Sequence, residues 1–266
     1  MLFLLFLLLP LRLFCVPSIE AYNITPVKTF LENAQTNDLV VFDVDCTLFI
    51  PEDLSLRPAG KAFFLKQFAE FSKTMPEEQI KLLGSKILLE RSIRHVEEDT
   101  LHLVQSLQTR NIKTIALSSL FTGRFGQISY MEEWRIAELK KLGYDFTSAF
   151  PRYSHIVFGD IIRKDSLPIF KDGVLFSARH SKGEILQAFL RRIKWTPKRV
   201  IFIDDSLESL ESVSEAMEQD GIAYVGIHYR AHEKLDGVFS EAVAMKQFDH
   251  LKIKEKWLSD TEIKAE

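Results

Sequence analysis

Two carboxylates, Asp43 and Asp45, have the residue type and spacing for chemistry, and they stand at the end of the apolar run L-V-V-F-D-V, residues 39–44. Side chains alternate along a strand, so acids two residues apart share a face. At the carboxyl end of a buried strand the chain turns out, and both acids reach the crevice where open α/β sheets take their ligands. Two acids this close repel each other unless a cation lies between them or one keeps its proton. Both escapes suit phosphoryl transfer: Mg²⁺ would hold one carboxylate and a phosphate oxygen while the other acid served the leaving group.

What must position these acids is a buried strand and the turn behind it. Residues 39–44 are apolar and β-branched, as a strand covered on both faces requires, and residues 112–117, 200–203 and 222–227 read the same way. Amphipathic segments lie between them. Ile185, Leu186, Phe189, Leu190 and Ile193 form one helical face behind Ser181, an N-cap residue type. Leu207, Leu210, Val213 and Met217 form another, ended before Gly221, and residues 132–142 form a third, closed by Gly143. Strands alternating with helices predict an α/β domain with a mostly parallel sheet.

Two stretches fall outside that alternation. Residues 51–108 are strand-poor and helical, with Phe63, Phe64, Phe68 and Phe71 in one stripe and Ile80, Leu83 and Ile87 in another. Residues 150–179 hold H-I-V-F and then P-I-F-K-D-G-V-L-F, where Asp172-Gly173 between short apolar runs predicts a hairpin.

The run D-V-D-C-T-L from Asp43 resembles the first motif of the haloacid dehalogenase superfamily, whose usual form is D-x-D-G-T. Three further elements follow in that family's order. T-I-A-L ends in Ser118, similar to the second motif; Lys182 opens a helix, similar to the third; V-I-F-I ends in Asp204-Asp205, similar to the acidic fourth. The resemblance spans residues 39–227. It implies a Rossmann-like three-layer α/β/α domain with a helical cap insertion at 51–108 and a small β-hairpin insertion at 150–179. Those two insertions resemble a secreted bacterial branch of the superfamily, with the class B acid phosphatases a more distant likeness.

By that resemblance the chain is an Mg²⁺-dependent hydrolase of a small phosphorylated substrate. Asp43 would be the nucleophile that forms an aspartyl-phosphate, and Asp45 the acid and base that serves the leaving group and then water. Mg²⁺ would be held by Asp43, the Asp45 carbonyl and Asp204, with Asp205 orienting metal-bound water or Lys182. Ser118, or Ser119 in its place, would donate to a phosphate oxygen. Lys182 would offset charge on Asp43 and the transferring phosphoryl group. Arg124, in F-T-G-R behind Ser118, resembles a substrate-loop residue, although a turn glycine with a solvated arginine explains it equally. Thr47 is expected to brace the loop.

Cys46 departs from the family glycine. It is tolerable there if the backbone stays out of the left-handed region, and as a packing residue more than as a redox thiol. His95, His102, His155 and His180 show no metal-ligand spacing, and no G-x-x-x-x-G-K-[ST] loop is present.

Composition narrows the remaining classes. A chain of 266 residues with 46% hydrophobic content can bury a full core. A net charge of −3 without a basic stripe argues against nucleic acid. The opening M-L-F-L-L-F-L-L-L-P-L-R-L is too short to span a membrane and suits an export leader, cut before Ile19 or after Ala21. An uncleaved anchor or a lipoprotein signal at Cys15 are its alternatives. The expected organisation is a leader over 1–21, one hydrolase domain over 22–258 without a membrane span, and a fraying polar tail over 259–266. Removing the leader leaves Cys46 alone, so no intramolecular disulfide forms. Exposed phenylalanines on the cap would favour self-association. The competing classes are a degenerate relative that binds in the cell envelope without turnover, and a dehalogenase, which has no use for a second acid at Asp45.

Overall fold

The computed structural model describes residues 18–161, 166–235 and 237–265, so most of the expected leader lies outside the described residues. The main sheet is built from β1 (Ser18–Ala21), β2 (Asp38–Asp43), β5 (Lys113–Ser118), β6 (His155–Val157), β7 (Ile169–Lys171), β8 (Val174–Phe176), β9 (Arg199–Asp204) and β10 (Ala223–Tyr229). Their order across the sheet is β1-β10-β9-β2-β5-β8-β7-β6. The pairs from β1 to β8 are parallel, and β7 and β6 return antiparallel at one edge. A separate ribbon pairs β3 (Phe49–Pro51) with β4 (Ile93–His95).

The alternation of the central strands explains the three layers. Val40, Phe42, Ala116, Ile201 and Ile203 face one apolar cluster, while Leu39, Val41, Ile115, Leu117, Val200 and Phe202 face the other. On the first side pack α1 (Ile24–Leu31), α4 (Asp99–Thr109) and α5 (Met131–Lys141), through Val27, Leu103, Leu107, Ile136 and Leu139. On the second pack α6 (Lys182–Ile193) and α7 (Leu207–Gln219). Both faces are buried, as parallel sheets require. The fold is therefore the α/β architecture with a mostly parallel sheet that the sequence predicts.

Several local expectations sharpen. Ser206 caps α7, its hydroxyl accepting from Ser209 N at 3.3 Å, whereas Ser181 precedes α6 without a side-chain cap. The Asp172-Gly173 turn has both residues at positive φ, 49° and 81°, and joins β7 to β8. That hairpin is not an appendage, because β8 pairs with β5 and extends the main sheet. Within the expected cap, α2 (Lys61–Thr74) and α3 (Glu77–Glu90) stand apart, but α4 packs on the main core.

Two features differ from expectation. Residues 18–21, assigned to the leader, form an edge strand, with Ile19 opposite Ile227 and Ala21 opposite Tyr229. The tail does not fray: it forms α9 (Asp260–Ala265), with Ile263 buried and Asp260 Oδ2 accepting from Leu54 N at 3.1 Å. Its polar residues concealed one apolar anchor. The phenylalanine stripe is also covered from within the chain. Phe248 of α8 (Glu241–Lys254) lies 5.7–6.0 Å from the rings of Phe63, Phe64, Phe68 and Phe71, and Trp257 closes the cluster. Within this cluster Phe63 and Phe71 are buried, and Phe64 and Phe68 are half-buried.

Candidate active site

Three adjacent parallel strands deliver the candidate residues. Asp43 ends β2, Ser118 ends β5 and Asp204 ends β9. The register is matching: Asp43 lies opposite Leu117, and Phe42 lies opposite Ile203, so the strands release these side chains at one level. Lys182, the first residue of α6, enters from the second layer and donates to Asp43 Oδ1 and, at 2.6 Å, to Asp204 Oδ2. A cation in the first turn opposes the helix dipole, and two carboxylates offset that cost here. Gly183 makes the placement possible. A Cβ at that position would stand 1.9 Å from the backbone oxygen of Ser212, so only glycine lets α6 begin so close to α7.

Burial governs the electrostatics. Asp43 is raised to about 7, by burial first, against the pull of Lys182, with Asp204 and Asp45 adding repulsion. Asp205 is raised to about 7, by burial and then by Asp43. Asp204 is raised by burial and held back by Lys182. Burial works to lower Lys182, and the Asp204 and Asp43 carboxylates outweigh it, so its ammonium persists. Three acids held this close either keep protons or take up a cation, and Lys182 already supplies one positive charge to two of them. Asp43, Asp204 and Asp205 present carboxylate oxygens within 4.8 Å of one another, a hard all-oxygen set of the kind Mg²⁺ takes.

Not every predicted residue joins this cluster. Asp45 is half exposed and its Oδ1 pairs with Arg135 Nη1 at 3.0 Å. Ser118 is fully buried and its Oγ accepts from Leu120 N at 3.2 Å, which leaves the hydroxyl proton for another acceptor. Ser119 is exposed, with its carbonyl accepting from Arg179 N. Arg124 is exposed too, and its Nε meets Gly126 O at 3.5 Å within its own turn. Thr47 does not brace the loop by hydrogen bonding, since its buried Oγ1 has no partner. The loop is held instead by its backbone, with Cys46 N donating to Phe49 O and Leu48 N to Val44 O. Cys46 sits at φ 64°, inside the left-handed region, so the condition under which a side chain is easily tolerated there is not met. The turn has a backbone geometry that favours glycine, with a cysteine in its place.

Residues invisible to the sequence reading surround Asp45. Arg135 on α5 is 3% exposed and also lies 3.5 Å from Glu138 Oε2. Arg91, behind α3, donates through Nη2 to both Glu138 oxygens at 3.0 and 3.1 Å. Burial raises Glu138, and the Arg135 and Arg91 charges hold that rise back. Arg135 and Glu138 are three residues apart on one helix, a spacing that suggests a solvated pair. Only the approach of Arg91 from the expected cap makes it a buried network. A cavity of about 540 Å³ adjoins the cluster, with Cys46 and Asp205 at the end beside it and Arg57, Arg91, His232, Phe64 and Ile87 among its walls.

Comparison with known proteins places the chain among bacterial relatives. It is 30% identical over 243 residues to an "Uncharacterized protein" of Rickettsia felis, covering 84% of this chain and 80% of that one. It is 25% identical over 257 residues to a "Putative outer membrane protein" of Chlamydia trachomatis serovar D, covering 92% and 90%. A solved haloacid-dehalogenase-superfamily hydrolase of subfamily IA from Geobacter sulfurreducens aligns with 77% of this chain and 99% of its own, at 13% identity and a TM-score of 0.36. That likeness is too slight to carry an argument about either protein. The decisive match covers residues 20–264, and by it the chain belongs to the family described as "Protein of unknown function (DUF2608)".

Proposed function

We propose that this protein is an Mg²⁺-dependent phosphohydrolase that cleaves a phosphate monoester through an aspartyl-phosphate on Asp43. The observation that carries this reading is the Lys182 bridge between Asp43 and Asp204, with Asp205 completing a carboxylate cluster at parallel strand ends. Asp43, Asp204 and Asp205 would hold the Mg²⁺, which when bound shields the charge of the phosphate oxygens.

The chain's own groups then carry the reaction. A carboxylate oxygen of Asp43 attacks phosphorus as the ester P–O bond breaks. Asp45, carrying a proton, gives it to the departing oxygen. In this role its half-exposed side chain would turn from Arg135 toward that oxygen. In the second step Asp45 takes a proton from water, whose oxygen attacks phosphorus and frees the Asp43 carboxylate with inorganic phosphate. Lys182 balances the charge on Asp43 in both steps, and the Ser118 hydroxyl proton is available to a phosphate oxygen.

The same reading places the protein outside the cytoplasm, in the periplasm or beyond, after removal of a leader. The apolar start of the chain and the name of the chlamydial relative support this, and no helix among the described residues is long and apolar enough to cross a membrane. Hydrolysis of an aryl phosphate with Mg²⁺ and with a chelator tests the activity. Turnover that requires Mg²⁺ and disappears in Asp43→Asn is expected. A folded protein inert on aryl and alkyl phosphates with Mg²⁺ would instead be a binding protein.

A further inference from the structure

Asp45, the side chain assigned to proton transfer, is the least enclosed of the four candidate acids. It is 51% exposed, and an aspartate without a fixed partner spreads over its staggered rotamers in water. The loop that carries it closes through its own backbone, Cys46 N donating to Phe49 O, and the Thr47 hydroxyl adds no hydrogen bond. One side chain from outside the loop meets it at two points. Arg135 Nη1 lies 3.0 Å from Asp45 Oδ1, and Arg135 Cζ lies 4.8 Å from the centre of the Phe49 ring.

Arg135 is itself held still. It is 3% exposed, with the Trp134 ring 5.1 Å from Cζ and Glu138 Oε2 3.5 Å from Nη1. Arg91 pairs with the same Glu138, so two buried cations share one buried acid. The surplus positive charge attracts a second acid, and Asp45 supplies it. Yet Nη1 makes no aligned hydrogen bond at that 3.0 Å separation. Charge holds Asp45 in place, and the carboxyl leaves without breaking a hydrogen bond. A group that serves a leaving oxygen and then water needs both a defined starting place and freedom to quit it.

We infer that Arg135 is a positioning residue for Asp45, the seat from which its carboxyl reaches the leaving oxygen and to which it returns before water attacks. This inference rests on the phosphohydrolase reading and adds a residue to it. Arg135 acts through Asp45 alone and takes no part in the bonds that change.

Dependence on the leaving group tests it in the full protein with Mg²⁺. An alkyl phosphate releases its alkoxide only with a proton, whereas an aryl phosphate with an acidic leaving group needs little protonation. In Arg135→Met, which keeps an apolar stem and removes the charge, kcat/KM for the alkyl ester should fall about 10- to 100-fold further than for the aryl ester. That is the scale for a reacting group misplaced by about an ångström. Arg135→Lys keeps the charge of the network but not the planar guanidinium, and should show the same bias at about 3- to 10-fold. General damage to the site would lower both esters alike. In Asp45→Asn protein no acid remains to be seated, so adding Arg135→Met should change kcat on the aryl ester by less than about twofold. Equal losses on the two esters in Arg135→Met, or in Arg135→Lys if the first variant fails to fold, overturn the inference and leave the phosphohydrolase reading standing. A loss in Asp45→Asn protein as large as that in the parent does the same. No hydrolysis of either ester by the parent overturns the phosphohydrolase reading, and this inference with it.

Discussion

Burial pushes the carboxyls of Asp43 and Asp205 up to about 7, and repulsion from neighbouring acids adds to each rise. The sign of the stability effect follows. A carboxyl raised from 3.8 to about 7 contributes stability through its proton that is fully present below pH 3.8 and is lost as pH rises to 7. Above that window the ionised Asp43 costs stability. Metal-free Asp43→Asn should therefore melt higher than the parent at pH 7.5, and by a smaller margin at pH 4.5, while losing at least about a thousandfold in turnover. A lower Tm at pH 7.5 would contradict the electrostatic account, and activity within tenfold of the parent would remove the nucleophile. Cys46 yields a simpler expectation. Its φ of 64° costs an L-residue about 1–2 kcal/mol, so Cys46→Gly should stabilise by about 0.5–1 kcal/mol in urea unfolding. Destabilisation would show that its side-chain contacts outweigh the strain. At this scale the sequence exposes Asp43, Lys182 and Asp204 because each begins or ends an element with clear periodicity. It conceals Arg135 and Glu138, whose charges on a helix give no sign that a distant arginine will bury them.

The elements set these residues in place through close contacts more than through flexible loops. The start of α6 is the narrowest of them, since a Cβ on Gly183 would overlap Ser212 O at 1.9 Å. Gly183→Ala should force α6 away from α7, cost about 1–3 kcal/mol, and displace Lys182 from its two carboxylates. The measurement is urea unfolding beside kcat, and both should fall. Unchanged stability and rate would mean that the helix pair gives way without moving Lys182. The parallel strands and these two helices are legible from period and caps. The covering of the Phe stripe is not, because α8 comes from a distant part of the chain and its weakly segregated apolar residues single out no partner. Phe248 meets four phenylalanines of α2 only in the folded molecule.

At the scale of the whole molecule, β1 closes one edge of the sheet and joins the question of export to that of stability. Arg230 N donates to Ala21 O, and β1 pairs with β10 over all four of its residues. Protein beginning at Tyr22 lacks that strand and leaves the β10 edge unpaired. It should unfold at least about 1 kcal/mol more easily than protein beginning at Ser18. Equal stability would make β1 dispensable and leave a cut after Ala21 open.

The central claim is the covalent phosphoryl group on Asp43, and Asp45→Asn exposes it most directly. Without its acid and base, the protein should lose about 10²–10⁴-fold in turnover. An aryl phosphate with an acidic leaving group needs little protonation, so attack by Asp43 should outlast hydrolysis of the intermediate. Intact-mass measurement of Asp45→Asn mixed with Mg²⁺ and that ester should show protein heavier by one phosphoryl group. Hydroxylamine should remove the group, and peptide mapping should place it on Asp43. Loss of aryl and alkyl phosphate turnover in equal measure, with no adduct at any time, would contradict the mechanism.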